Sequence, residues 1–505
     1  MVVNYSGHGN ANTLSHELVW SASDMAKLES PRLPFWVTAS CDIGPFDKGG
    51  DNVAEMALMN PVGGAVGLFT TTRTVLQNYN AILNKEFMSA LLSPVDGGDA
   101  VAVGDAVRVA KCNVIGKGSD MSENKLQFVL LGDPALRLKL PEYRVRVDKV
   151  NGVDTDMPQQ AMAGSVLTVE GSVTTRENVV AENFKGLVYA DLFDSAEDVE
   201  TRDNTGLDAF TYTAYNKRLS VVVDSVKDGR FVVKVPVPMD ISYKDAEGLL
   251  SLFALNTDFT CSAQGHFTDF TVGGTAPDFS NDGVGPEIKL YLNSYSFVSG
   301  DEVNSTPCLL VDLFDENGIN TIGAGIGHDI VAIVDNDPAH TYNLNSVFTP
   351  VAGDYKRGTI VFPLNSLDAG RHTLMLRAWD LNNNSSVVEV DFVVEPDLVP
   401  EIAEFRLVST PVVAGMPNGF ILVHNRPQSE IEVTIELFSV HGQMMWKSVE
   451  RVVCGGTEYD CSWDVAASGG APLQTGVYVV RAFVKSDNGV SKPKNLKMVV
   501  INNKK

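Results

Sequence analysis

The first 142 residues alternate short apolar runs with stretches in which apolar residues recur at helical spacing. Pro34 to Ser40 and Gly64 to Phe69 are short enough for buried strands, and Val53 to Met59 is typical of a helix between them. Two longer helices are predicted around Ala81 to Leu91 and Ala100 to Ala110. This alternation indicates an α/β domain with a largely parallel sheet.

After Tyr143 the helical spacing ends, and apolar and polar residues alternate with the period of a strand. Asp228-Gly229 is a predicted turn between two such strands, and the segment from Ile431 to Leu437 alternates most cleanly. A polar joint at residues 276–284 and a proline pair near residue 400 divide this part of the chain. We therefore predict an α/β domain followed by three β-sandwich domains, at residues 1–142, 143–275, 285–395 (Ig-like) and 396–505.

Composition narrows the range of partners. The 505-residue chain carries a formal charge of -24, which argues against nucleic acid or an anionic lipid face as a direct partner because like charges repel. No run of 18 apolar residues offers a membrane span. The six cysteines have no zinc-ligand spacing. Cys454 and Cys461 flank a Gly-Gly turn, so they can either close a hairpin disulfide or remain free thiols.

Candidate catalytic residues follow two of the predicted strands. His8 lies between glycines just after Val2 to Tyr5, a segment typical of the end of a buried strand, and Cys41 follows the run that ends at Ser40. Loops at the carboxyl ends of parallel strands meet at one edge of a sheet, so the two side chains are expected to lie together. A histidine that favours the thiolate gives a usable nucleophile and later a general acid. The N–H groups of Gly9 and Cys41 are the predicted oxyanion donors, and no metal or cofactor is expected.

Other interpretations of the same residues remain open. A single cysteine after an apolar strand is more often a core residue, and a single histidine usually has a structural or surface role. Spacing alone therefore does not decide between catalysis and structure. Further predictions concern a substrate cleft beside Cys41, lined by Phe46, Thr71, Thr72 and Arg73. The threonines can equally cap the helix that follows.

Four motifs together resemble the gingipain-type, caspase-like cysteine peptidases. They are Ser6-Gly7-His8-Gly9, Thr38-Ala39-Ser40-Cys41, Gly63-Gly64-Ala65-Val66-Gly67 and Leu131-Gly132-Asp133-Pro134. In that family a histidine and a cysteine after successive strands form the catalytic dyad, and these positions correspond to His8 and Cys41. The family's oxyanion donors correspond to Gly9 and Cys41. The resemblance implies a caspase-like α/β fold and cysteine peptidase activity.

Within that family the chain is similar to the sortases of the type IX secretion system. The phrases that carry this similarity are Cys41 to Asp47, Leu68 to Arg73 and Gly325 to Ile330. Such sortases remove the C-terminal signal domain of secreted cargo and join the new end to anionic lipopolysaccharide through a thioester. The resemblance implies an enzyme at the cell surface, on the outer membrane, working with other subunits of the type IX attachment complex. Residues 396–505 themselves resemble a type IX C-terminal signal domain, an arrangement that a small Ig-like module would also produce.

Family members contain further strands and a subdomain before the histidine motif. We therefore expect this chain to represent a C-terminal portion, with a partial catalytic domain that is inactive alone. Two other functions remain alternatives: a gingipain-like secreted endopeptidase with the same dyad, and a non-catalytic surface adhesin that uses only the β domains.

Overall fold

The computed structural model describes residues 1–30, 32–93, 100–202, 209–322 and 327–501. They form two compact units. One consists of Met1–Tyr143 with Thr175–Glu177, and the other of Arg144–Thr174 with Asn178–Lys505. The first unit is α/β and the second is built from strands with two short 3-10 helices, so the predicted fold class is confirmed.

A four-stranded sheet with helices on both faces organises the first unit. The strands of this unit are β1 (Val2–Ser6), β2 (Gly9–Asn10), β3 (Thr13–Leu14), β4 (Trp20–Ser21), β5 (Phe35–Ala39), β6 (Gly67–Thr71) and β7 (Phe128–Gly132). Its helices are α1 (Ala22–Lys27), α2 (Val53–Met59), α3 (Gln77–Leu92) and α4 (Val103–Gly116), with a 3-10 helix at Asn124–Leu126. The central sheet has the order β1, β5, β6, β7, in which only β7 runs antiparallel to its neighbour. The short strands β2, β3 and β4 form a separate antiparallel sheet.

Strand β5 supplies side chains to two cores because successive residues of a strand point to opposite faces. Phe35 and Val37 pack in a cluster with residues of α3 and α4, including Phe87. Trp36 packs on the other face with residues of α1 and α2, including Met25. All five residues of β5 are buried, as expected for an inner strand of a covered parallel sheet.

Several predicted element boundaries shift in the structure. Strand β6 begins at Gly67 rather than at Gly64, because Gly64 turns the chain with φ +87 and lies so close to α2 that a Cβ would be 2.0 Å from the Ala57 oxygen. The helix predicted around Ala100 to Ala110 begins three residues later, at Val103, and continues to Gly116. Helix α2 has the bounds predicted for it.

Strand pairs in the second unit join strands within one of three stretches of chain, among the residues that the structure describes. The strands of the first stretch are Tyr143–Val150, Val153–Asp154, Gln159–Ala163, Val166–Thr174, Gly186–Phe193, Glu197–Glu200, Thr211–Ala214, Arg218–Val226, Arg230–Pro236, Ala246–Glu247, Leu249–Asn256, Ser262–Phe267 and Phe270–Thr275. Those of the second are Glu287–Leu292, Glu302–Val303, Cys308–Phe314, Val331–Val334, Thr341–Asn343, Phe348–Val351, Asp354–Pro363, Gly370–Trp379 and Ser385–Val394, with 3-10 helices at Pro338–His340 and Asn345–Val347. Those of the third are Ile402–Leu407, Val412–Val413, Asn418–His424, Glu430–Ser439, Met444–Val453, Glu458–Trp463, Gly476–Ser486, Gly489–Val490 and Lys494–Ile501.

The predicted turn at Asp228-Gly229 is present, with φ values of +50 and +69 at its two residues. The strands that it connects, Arg218–Val226 and Arg230–Pro236, lie at opposite ends of one sheet order. The turn therefore links the two ends of a sheet instead of closing a long hairpin.

The alternation predicted in the last hundred residues is confirmed. Along Glu430–Ser439 the apolar side chains of one face are buried in a single core, and they are Ile431, Val433, Ile435 and Leu437. On the opposite face Glu436 is nevertheless 6% exposed, because Arg481 and Lys447 pair with its carboxylate and cover it. Cys454 and Cys461 are both free thiols. Among the described helices, none is long and apolar enough to cross a membrane.

Candidate active site

The residues expected to carry catalysis follow two adjacent parallel strands. Strands β1 and β5 are in register up to Ser6 and Ala39, so both chains leave the sheet at the same edge. His8 and Cys41 each lie two residues beyond these strand ends. The topology thus brings the histidine segment and the cysteine segment to one edge of the sheet, as the sequence predicts.

Gly9 provides direct evidence that the two segments touch. A Cβ built on Gly9 would lie 2.6 Å from Ser40 Oγ and 2.6 Å from Ile43 Cδ1. Ser40 and Ile43 flank Cys41 in the sequence. The histidine segment can approach the cysteine segment this closely only because residue 9 has no side chain.

His8 is exposed, and its backbone is held firmly. Its carbonyl oxygen accepts hydrogen bonds from Ser15 N at 2.8 Å and from the Tyr5 hydroxyl at 2.6 Å. The imidazole ring stacks on that of His16, with centroids 4.9 Å apart and planes 6° from parallel. Glu17 lies nearby, where a hydrogen bond from Ser15 lowers the pKa of its carboxyl, and the charges of His16 and His8 lower it further.

Cys41 is half-buried against the core that α3 and α4 share. Its sulfur lies 3.4 Å from the backbone nitrogen of Val75 and 3.4 Å from the carbonyl oxygen of the same residue. Val75 comes two residues before α3, so the sulfur is close to the N-terminal end of a 16-residue helix. That end of a helix favours negative charge, which is the charge of a thiolate.

The chain bends sharply after the cysteine. Asp42 has φ +50, in the left-handed region, and its carboxylate accepts hydrogen bonds from Thr74 Oγ1 at 3.1 Å and from Lys48 Nζ at 3.2 Å. Its N–H donates to the Arg73 carbonyl at 3.1 Å. These bonds compensate for a backbone conformation that a residue with a side chain rarely adopts.

The side chains predicted to line a cleft divide into two pairs. Phe46 is 56% exposed, and Arg73 is partly exposed and pairs with Asp47, which lowers the pKa of the Asp47 carboxyl. Thr71 has no exposed surface and donates its hydroxyl to the Ser40 carbonyl, so it supports the end of β5 from inside the unit. Thr72 is half-buried and bonds to the Gln127 carbonyl at 3.2 Å. Contact between any of the four and a substrate stays a prediction.

Gly9 and Cys41 remain the predicted oxyanion donors. Among the described residues, no acceptor pairs with the Cys41 N–H, which leaves this donor available beside the sulfur. The hydroxyl of Ser40 is buried and likewise has no partner in the described structure. No group of three His, Cys, Asp or Glu side chains in the described ranges is placed to hold a metal ion.

Two features of the site have no simple sequence signal, and a third has one. Val75 contacts the sulfur through its backbone, so its side-chain type carries no information about that contact. Asn124 belongs to a separate segment and reaches Leu76, a long-range contact that no local pattern predicts. His16 could have been anticipated, since the Asn10 side chain closes a turn by accepting bonds from Asn12 N and Thr13 N and so folds the following residues back over His8.

Comparisons with known proteins concern both units. Residues 1–139 match the model of peptidase family C25. No curated protein gives a match. Among solved structures, the chain is similar to dimeric latent PorU from Porphyromonas gingivalis, with 30% identity, 82% of this chain and 39% of that chain covered, and a TM-score of 0.38. Gly325 to Ile330, one of the three segments on which the predicted similarity to sortases rests, lies partly outside the described residues.

Two gingipain structures are also similar. The Arg-specific cysteine proteinase gingipain R has 17% identity, with 54% of this chain and 52% of that chain covered and a TM-score of 0.26. The complex of the Porphyromonas gingivalis RgpB pro- and mature domains has 16% identity, 54% coverage of each chain and a TM-score of 0.26. The chain therefore spans about two fifths of the PorU structure and about half of each gingipain structure. By their match to the family model, residues 1–139 of this chain belong to peptidase family C25, a family of cysteine peptidases.

Proposed function

We propose that the protein is a cysteine peptidase and sortase of the type IX secretion system, in which Cys41 is the nucleophile and His8 the general acid and base. The closeness of Gly9 to Ser40 and Ile43 supports this proposal most directly, because Gly9 is next to His8 in the sequence and Ser40 is next to Cys41. The family match of residues 1–139 supports the same chemistry.

The proposed reaction has two halves. In the first, the Cys41 thiolate attacks the carbonyl carbon before the C-terminal signal domain of a cargo protein, and the N–H groups of Gly9 and Cys41 stabilise the oxyanion. The C–N bond then breaks, His8 donates a proton to the leaving amine, and the cargo remains on Cys41 as a thioester.

In the second half, an amine of anionic lipopolysaccharide attacks the thioester. His8 accepts the proton of the attacking amine, the C–S bond breaks, and the cargo is released as an amide of the lipopolysaccharide with the Cys41 thiolate restored. Water in place of the amine would give hydrolysis, which is the reaction of an endopeptidase. We place the enzyme on the outer surface of the outer membrane, with other subunits of the type IX attachment complex as partners.

Replacement of Cys41 tests this function in the cells that make the protein. We expect Cys41→Ser to leave the protein at the cell surface while cargo accumulates with uncleaved C-terminal signal domains, because the thioester cannot form. Mass spectrometry of the cargo C-termini measures the result. Cys112→Ser, at an exposed position on α4, is the matched control and should process cargo normally.

Two outcomes would favour other functions. Normal cargo processing by the Cys41→Ser variant would remove the enzymatic role and favour a surface adhesin. Loss of hydrolysis of other extracellular proteins, with cargo still attached to lipopolysaccharide, would instead indicate a secreted endopeptidase.

A further inference from the structure

The backbone of Val75, which contacts the Cys41 sulfur, belongs to the short segment between β6 and α3. Val75 and Leu76 lie between β6 and α3, and the N-cap residue of α3 is Leu76, which has no side chain able to accept a hydrogen bond. Helices usually receive such a bond from a Ser, Thr, Asp or Asn at this position. The backbone that contacts the sulfur therefore needs another means of support.

Asn124 supplies that support from the 3-10 helix before β7. Its Oδ1 accepts a hydrogen bond from Leu76 N at 2.7 Å, so a distant side chain holds the backbone of the N-cap residue, as the N3 side chain does in a capping box. Val75, one residue earlier, has its N–H donating to Cys41 Sγ at 3.4 Å, and its carbonyl oxygen, also 3.4 Å from the sulfur, can accept from the thiol but not from the thiolate. The amide of Asn124 is thus separated from the sulfur by only two backbone groups.

The Asn124 side chain is itself held on both sides. Its Nδ2 donates to Asn80 Oδ1 at 3.1 Å, and both amides are at least 94% buried. Its backbone nitrogen bonds to Ser122 Oγ at 3.2 Å, and Ser122 N in turn bonds to the buried Asp120 carboxylate at 2.8 Å. Buried hydrogen bonds of this kind favour one geometry for their members, although Asp120 Oδ2 is buried without a partner among the described residues.

We propose that Asn124 is a positioning residue for Cys41. It holds the Val75–Leu76 backbone so that the Val75 N–H meets the sulfur and donates to the thiolate, the form of cysteine that attacks a carbonyl. The proposal rests on the proposed function in that Cys41 is taken as the nucleophile. Asn124 does not touch the substrate, and it acts through the backbone at the start of α3.

Alkylation of Cys41 tests the proposal without any substrate. We expect Asn124→Leu, which keeps the size but removes the acceptor for Leu76 N, to slow alkylation by iodoacetamide at pH 7.5 about threefold to tenfold, because the Val75 N–H is then no longer held in place to donate to the thiolate. Digestion and mass spectrometry give the rate at Cys41 relative to the exposed Cys112 in the same molecule. Asn124→Asp keeps an oxygen acceptor for Leu76 N but loses the Nδ2 that donates to Asn80, so it should restore only part of the rate.

The direction of the change separates positioning from a merely structural role. A variant that only loosened the fold would expose the half-buried sulfur and speed up its alkylation. Asn113→Leu, which removes a hydrogen bond between α4 and Glu86 of α3, is the matched control and should keep the wild-type ratio. Unchanged or faster alkylation in Asn124→Leu would overturn the proposal.

A second variant decides the question if Asn124→Leu does not fold. Asn80→Leu leaves Asn124 in place but removes its partner, so we expect alkylation of Cys41 to slow by a smaller factor. Alkylation at or above the wild-type rate in Asn80→Leu would also overturn the proposal. Neither result depends on cargo processing, so a failure here is distinct from a failure of the Cys41→Ser test.

Discussion

At the scale of single residues, the site combines groups that the sequence identifies with groups that it does not. His8 and Cys41 stand out because each follows an apolar run and has a side chain able to do acid–base or nucleophilic chemistry. The neighbours that fix their surroundings, Val75 and Asn124, act through a backbone group and a buried amide. A sequence pattern reports side-chain type at regular spacing, and neither of these contacts has a regular spacing.

Gly9 is the residue at which a small change should have a large effect. We expect Gly9→Ala to reduce cargo processing at least tenfold, because the new Cβ would lie 2.6 Å from both Ser40 and Ile43 and would push the two segments apart. Overpacking of this kind costs about 1–3 kcal/mol, so the unit should still fold. Mass spectrometry of cargo C-termini and a thermal unfolding curve measure the two effects.

The matched control for Gly9 is Gly49, in the loop after Cys41. A Cβ on Gly49 meets nothing within 4 Å, so Gly49→Ala should process cargo normally. Wild-type processing by Gly9→Ala would mean that close contact between the two segments is not needed for catalysis.

At the scale of elements, the sequence predicts the interiors of helices and strands better than their ends. Helix α2 has its predicted bounds, since Asn52 caps it locally by accepting a bond from Glu55 N. Helix α3 has no local cap, and its start depends on Asn124, 48 residues further along the chain. The start of β6 was misplaced because the closeness of Gly64 to α2 is a tertiary contact.

Two buried aspartates at the ends of strands lead us to predict that the stability of these strands depends on pH. Asp315 and Asp380 directly follow the strands Cys308–Phe314 and Gly370–Trp379. Burial, together with the nearby charges of Asp380 and Asp282, raises the pKa of Asp315 to about 6. The folded state therefore favours the protonated carboxyl, so this group stabilises the fold below about pH 4, and its contribution is lost as the pH rises to about 6.

We expect Asp315→Asn to stabilise these strands at pH 7.5, by about 2 kcal/mol more than at pH 4.5, because the amide keeps an acceptor for Asn317 N and carries no charge. Hydrogen exchange of the two strands, compared between variant and wild type at each pH, gives the free energy of local opening. The exposed Asp397, changed to Asn, serves as the control. An equal effect of Asp315→Asn at both pH values would contradict the raised pKa.

At the scale of the whole molecule, the sequence predicts the change of architecture near residue 143, because helical spacing gives way there to alternation. The structure places the boundary of its first unit at Tyr143, with Thr175–Glu177 added from later in the chain. That addition comes from tertiary contact and leaves no mark on the local pattern. The division of residues 143–505 into three β domains stays a prediction. In the described part of these residues, every strand pair joins two strands of the same stretch.

The charge of the molecule also bears on the proposed reaction. With a net charge of -24, the protein and an anionic lipopolysaccharide repel each other at long range. Recognition of the acceptor would therefore depend on short-range contacts near the thioester or on a partner subunit, and not on attraction by the chain as a whole.

Trapping of the acyl-enzyme tests the central claim, that Cys41 and His8 form the catalytic dyad, most directly. The full-length protein, purified from the cells that make it, is mixed with a cargo bearing its C-terminal signal domain, quenched in acid and analysed by mass spectrometry for a thioester. The account predicts cargo linked to the Cys41 peptide in the wild type, and formation of that thioester about 100-fold slower or more in His8→Ala. A thioester on another cysteine, or equal acylation of Cys41 in the wild type and in His8→Ala, would contradict it.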